Sequence, residues 1–296
     1  MGRVSTARAS PTDRVSPVAL VVTGIGSVQF GAALAATLFD DLGPSGTTLL
    51  RLAIAAAILM LAWRPDPRAY ASAELRLAAL LGLALGLMNL TCYLALDRLP
   101  LGVAVTIEFV GPLGVAVATS HRRADLAWAA LAAGGILLLA NPGGASIDPL
   151  GLAFVLCAGA CWAAYILLSQ RAGPSFEGGR GLALAMTVAM LVPLVPGVVG
   201  GGEALLDPRL LALGAGVAIL SSVIPYSLEF EALRRLPANV FGVLMSLEPG
   251  VAALAGFVVL GQALGLRELA AIALVVAASV GITRGATRAD GLPVNS

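Results

Sequence analysis

The chain contains no lysine and one histidine, and only 12% of its 296 residues are charged. Soluble domains carry about 25% charged residues, so there is too little polar surface here to coat a water-soluble globule. The missing groups also exclude chemistries. No Walker-type phosphate-binding loop and no HExxH is present, and the sole histidine, His121, sits beside Arg122 and Arg123 in a short charged loop with no buried partner for a Ser-His-Asp triad. An enzyme is therefore not expected, nor ATP-driven transport within this chain. The three cysteines, Cys92, Cys157 and Cys161, all fall inside apolar runs. Cys157 and Cys161 share a helix face but lack His or carboxylate neighbours, and read as small packing residues. No cofactor and no metal is expected. The net charge of +1 points to no charged partner, and no nucleic acid is expected.

What is present is apolar length. Hydrophobic residues make up 58% of the chain and the mean hydropathy is +0.93. Spans of about 20 residues fill the sequence, with helices expected at 17–39, 45–63, 74–96, 101–119, 124–141, 149–170, 180–199, 209–231, 238–260 and 267–284. Turn-forming clusters such as Gly43-Pro44, Pro65-Asp66-Pro67, Asn141-Pro142-Gly143 and Gly173-Pro174 separate them. The run 17–39 is too long for a signal-peptide core and reads as a retained first span. The expected fold is an all-α integral membrane protein of ten transmembrane helices, arranged as two inverted five-helix repeats, 17–141 and 149–284, between polar tails at 1–16 and 285–296.

Two observations carry the inversion. Counting alternate loops and tails, fourteen arginines fall on one side and three (Arg98, Arg209 and Arg267) on the other, with Arg51 inside a span. The positive-inside rule then puts both termini in the cytoplasm. The second observation is an internal repeat. The stretch Met88–Pro112 returns as Pro225–Pro249, with Leu96, Arg98, Leu99, Pro100 and Pro112 falling on Leu233, Arg235, Leu236, Pro237 and Pro249 at a constant offset of 137. Five helices per half is an odd number, so the second half must run opposite to the first. Inverted repeats are a construction principle of secondary transporters, whose halves rock around one central site.

The charged and polar groups inside the spans are the candidate site. Glu108 lies about 10 Å into its helix at ~1.5 Å per residue, and Glu248 lies near the middle of the ninth. A charge at the bilayer centre costs at least about 2.5–3.5 kcal/mol on insertion scales, so such groups face a cavity, pair, or become neutral. One or both are read as binding a substrate ammonium or a coupling proton, against the alternative of buried, hydrogen-bonded structural acids. Pro112 and Pro249 each remove a helical hydrogen bond beside these acids and are read as helix kinks. Gln29, Asn89, Tyr93 and Tyr226 are the sparse polar residues expected to face the same cavity; Asn89 and Tyr226 correspond at the offset of 137. Arg51, placed six or seven residues into the second helix, could snorkel outward or hold a substrate carboxylate, and a structural or snorkelling role is favoured. Gly82 and Gly86 are read as helix-packing positions rather than a dimerisation face.

Taken together, Met88-Asn89-Leu90, Leu99-Pro100-Leu101-Gly102, Glu108-Phe109-x-Gly111-Pro112, Pro225-Tyr226-Ser227-Leu228-Glu229 and Met245-Ser246-Leu247-Glu248-Pro249 resemble the threonine/homoserine exporter branch of the drug/metabolite transporter superfamily, whose members carry paired EamA domains. The resemblance covers about residues 17–284. It implies proton-driven efflux of small neutral amino acids across a bacterial inner membrane, with a small-molecule substrate, protons and the lipid bilayer as partners and a homodimer as an option. A drug or other metabolite exporter on the same scaffold, and a non-transporting membrane scaffold, stay open as alternatives. One departure stands out: the superfamily often has Gly-Glu near the end of helix nine, where this chain has Gly261-Gln262.

Overall fold

The structure is a computed structural model and describes residues 16–118, 123–140, 147–172, 175–176, 178–233 and 244–289. Regular structure among them is helical. The helices are α1 (Pro17–Ala36), α2 (Phe39–Trp63), α3 (Ser72–Leu96), α4 (Leu101–Glu108), α5 (Val110–Ala118), α6 (Arg123–Ala140), α7 (Pro149–Ala172), α8 (Arg180–Ala189), α9 (Leu194–Gly201), α10 (Pro208–Ala218), α11 (Ile224–Leu233), α12 (Glu248–Leu260) and α13 (Leu266–Ala289). Among the described residues, five helical stretches are long and apolar enough to cross a membrane: 17–36, 39–63, 72–96, 149–172 and 208–228. The pair 180–189 and 194–206, bent by 56°, makes a sixth if counted as one broken span. Three shorter apolar stretches, 101–115, 126–138 and 248–260, complete the set. Leu61, Leu137, Val195, Phe257 and Val258 point outward from the bundle, a surface suited to lipid rather than water.

Several expected spans are helical but interrupted, and each interruption has a local cause. The second span is kinked: a short helical segment from Phe39 ends at Gly43, whose non-helical φ 64° and ψ 166° suit glycine, and the long helix runs on from Pro44 to Trp63. Past the kink, the hydroxyls of Thr47 and Thr48 donate to the Gly43 and Pro44 carbonyls at 2.9 and 2.7 Å. The fourth span breaks at Phe109, between α4 and α5, because Pro112 has no N–H for the Glu108 carbonyl. The eighth contains one π-helical turn, Ile219–Val223, between α10 and α11. The ninth breaks at Ser246–Leu247, ahead of Glu248 and Pro249 at the start of α12. The turn at Pro237 with Arg234 and Arg235, the loop of His121 and Arg122, the Asn141–Gly144 and Gly173-Pro174 turns, residues 238–243, most of the N-terminal tail and the last part of the C-terminal tail lie outside the described residues.

Helices from the first 140 residues pack mainly on helices from the rest of the chain. α3 runs along α7 and α8, and α1 along α11 and α12. α2 packs on α8, α9 and α10, α4 on α12, and α6 on α13. The cores are shared accordingly: Leu52, Leu81, Leu85 and Met186 meet in one, and Leu101, Ile107, Val155 and Val217 belong to another. Glycines set the closest approaches. A Cβ at Gly86 would come within 2.6 Å of the Ala189 carbonyl oxygen, and one at Gly82 would overlap that of Ala185, so these two residues seat α3 against the eighth helix and its end.

Candidate functional site

A cavity lies at the middle of the bundle. It holds about 150 Å³ of space, where a single water needs about 10–15 Å³ by the same measure, so it accommodates a small metabolite. Gln29, Asn89, Tyr93, Glu108, Tyr226 and Glu248 all line it. They come from five places in the chain (α1, α3, α4, α11 and α12), and no two neighbouring segments alone would bring them together. Asn89 and Tyr226, related by the offset of 137, both face it.

The two carboxylates sit at helix breaks, in opposite senses. Glu108 is the last residue of α4 and is 7% exposed. The thiol of Cys92 donates to its Oε2 at 3.5 Å. Directly after it, Phe109 packs edge-on against Trp162 of α7, with ring centroids 5.5 Å apart. The Glu108 carbonyl that Pro112 leaves free is covered by α7: a Cβ on Gly159 would lie 2.8 Å from it, and a Cβ on Gly111 would overlap the Gly159 carbonyl. Pro112 therefore opens the helix against a glycine, not against the cavity. Glu248 is the first residue of α12 and 5% exposed, so α12 turns the positive end of its dipole toward this acid while α4 turns its negative end toward Glu108. Pro249, at the second helical position, sits where a missing N–H costs no hydrogen bond. Among the described residues no cluster of three or more His, Cys, Asp or Glu fits a metal.

Comparison with known proteins agrees with these features. The threonine/homoserine exporter RhtA of Escherichia coli K12 is 43% identical over 270 residues, covering 90% of this chain and 91% of its own. The RhtA of Salmonella typhimurium is 42% identical over the same shares. The EamA-like transporter family matches residues 149–284. The chain belongs to the EamA-like transporter family. A solved crystal structure covers 92% of this EamA-like chain and 99% of its own, with a TM-score of 0.62 at 17% identity, and so shares its fold.

In this EamA-like protein the cavity also holds Arg51, for which reasoning from sequence favoured a structural or snorkelling role over binding a substrate carboxylate. Arg51 does not snorkel. It is 5% exposed, faces the cavity and lies midway along α2. Its Nη1 donates to the Tyr93 hydroxyl at 2.8 Å, its Nε to Ser222 Oγ at 3.3 Å and its Nη2 to the Ser221 carbonyl at 3.3 Å. Its guanidinium carbon lies 5.2 Å from the Tyr93 ring centroid. The π turn makes this arrangement, since a π turn releases carbonyls from the α-helical ladder: Arg51 takes the one at Ser221, and Ser27 Oγ takes the one at Leu220 at 2.6 Å. The insertion argument applied to Glu108 applies equally to Arg51. It was obscured because, six or seven residues into its helix, Arg51 stood close enough to an end for its long side chain to reach the interface. Trp162, Tyr165 and Cys92 also line the cavity, and nothing in their spacing singled them out; Ser221, one of the sparse polar residues of the eighth span, lines it too. Gln262, at the family departure, lies outside this list of lining groups; its Oε1 accepts from the Leu101 N–H at 2.9 Å and caps α4.

Proposed function

We propose that this protein is a secondary-active exporter of small neutral amino acids, threonine and homoserine among them, driven by the proton gradient across a bacterial inner membrane. The chain crosses the membrane ten times, as two inverted five-helix repeats at 17–141 and 149–284, with both termini cytoplasmic. Packing supports the repeat. Exchanging the halves maps the α3–α7 contact onto α11–α1, and the α2–α8 and α6–α13 contacts onto themselves. The helix breaks at Phe109 and Ser246 also differ by 137. Such discontinuous helices meeting at the centre are how secondary transporters present polar groups at membrane depth.

The observation that carries the reading is a central cavity, lined from both halves, with Glu108 and Glu248 each at a helix break. Glu108, buried and contacted by a neutral thiol, is the acid that exchanges the coupling proton; substrate ammonium and proton occupy it in turn. Glu248, at a helix N-terminus, draws the ammonium into the cavity. Asn89, Gln29 and Tyr226 supply hydrogen bonds to the substrate's polar atoms, and the shift between inward and outward access follows the state of Glu108. The test is Glu108→Gln in proteoliposomes. Efflux driven by a pH difference is expected to vanish while gradient-free exchange persists; unchanged pH-driven efflux from normally inserted protein overturns the role.

A further inference from the structure

We infer that Arg51 is the anchor for the substrate's carboxylate, so that the cavity selects α-amino acids by both of their charged groups. This deepens the transport reading above and rests on it for the identity of the cargo. Among the described residues Arg51 forms no ion pair, although a buried guanidinium without a counter-ion is costly. A guanidinium has five N–H donors. Its bonds to Tyr93, Ser222 and the Ser221 carbonyl use three, leaving one N–H on each terminal nitrogen, the pair that grips a carboxylate in two parallel hydrogen bonds. The three existing bonds come from α3 and the π turn and hold the planar group in one orientation, which is the preorganisation such a grip needs.

The acid for the other end of the substrate is held from the next residue along. Tyr93 accepts from Arg51, and its neighbour Cys92 donates to Glu108. One turn of α3 thus places a cation and an acid in the same cavity, as the carboxylate and ammonium lie on one α-carbon. Gln29 adds a buried side-chain oxygen with no hydrogen-bond partner among the described residues, an acceptor free for the ammonium or a side-chain hydroxyl. The carboxylate is then obligatory. An amine without one, such as a cationic drug, leaves Arg51 unpaired and meets its positive charge.

The experiment uses purified full-length protein in detergent, with threonine, homoserine, threoninamide and threoninol as probes. Threonine and homoserine are expected to raise the Tm, with the amide and the alcohol at least about tenfold weaker, because a site built around a polar group rejects analogues lacking its partner. Arg51→Gln is expected to abolish the shift, and Arg51→Lys to weaken it while keeping the preference for a free carboxylate. Equal stabilisation by threoninamide, an intact shift in Arg51→Gln, or no shift with either carboxylate overturns the inference; the wild-type arm decides even where a variant fails to fold. Counterflow of labelled threonine in proteoliposomes keeps the two readings apart. Carboxylate-dependent binding without counterflow overturns the transport reading and leaves the Arg51 site standing, and counterflow inhibited equally by threoninamide does the reverse.

Discussion

The two helix breaks, at Phe109 and at Ser246–Leu247, occupy equivalent positions in the repeat yet are built differently. At the first, the chain is locked: Gly111 and Gly159 meet with no room for a Cβ on either, Phe109 packs edge-on against Trp162, and Glu108 closes α4 with its side chain in the cavity. At the second, Glu248 opens α12, and Gly250 has open space where a Cβ would go. The prolines coincide at the offset of 137, but Glu108 falls on Met245 and Glu248 on Gly111. Pseudo-symmetry therefore repeats the backbone device and not the chemistry. The sequence repeat marks two places where a helix ends inside the bundle, and each is filled with an acid at the opposite pole of a helix.

The largest effect expected from this difference is on folding. Gly159→Val should leave little monodisperse protein on size-exclusion chromatography, and Gly159→Ala should cost about 1–3 kcal/mol by overpacking. Gly250→Ala should be neutral in the same assay. Equal tolerance at both sites would break the comparison. Next come the acids. Glu108→Gln should abolish pH-driven efflux, whereas Glu248→Gln should raise the KM and keep the pH dependence, both read in proteoliposomes at several internal pH values; identical phenotypes would make the acids equivalent.

The prolines should separate by less. Pro112→Ala restores an N–H to the Glu108 carbonyl and straightens the α4–α5 junction, so transport should fall several-fold. Pro249→Ala at a helix start should change the rate little. Smallest is Gln262→Ala, which removes the cap from α4 and should cost about 1 kcal/mol of thermal stability, while Gln262→Glu should retain or slightly gain stability by placing a negative charge at a helix N-terminus.

Much of the architecture was legible because the bilayer simplifies the problem. A chain with 12% charged residues and long apolar runs has to satisfy its backbone within helices, so helix positions follow from where the runs stop. Glu108 and Glu248 were legible for the same reason: an acid inside such a run needs a cavity. Arg51 obeyed the same rule, but its place six or seven residues into a helix also allowed snorkelling, and only the fold turns it into the cavity. The interruption at Phe109 was announced by Pro112, but the π turn at Ile219–Val223 has no proline or glycine within it to announce it.

By itself the sequence determined the environment, the helices and the internal repeat, and it marked two acids as out of place; these are consequences of composition and spacing, which act along the chain. Only the tertiary structure decided which polar groups share a cavity, that Arg51 is gripped by Tyr93 and a π turn 170 residues away, and that the opened carbonyl at Glu108 meets Gly159 rather than the cavity. Those outcomes depend on close approach between distant segments, down to the space for a single Cβ, and one-dimensional spacing carries no information about it.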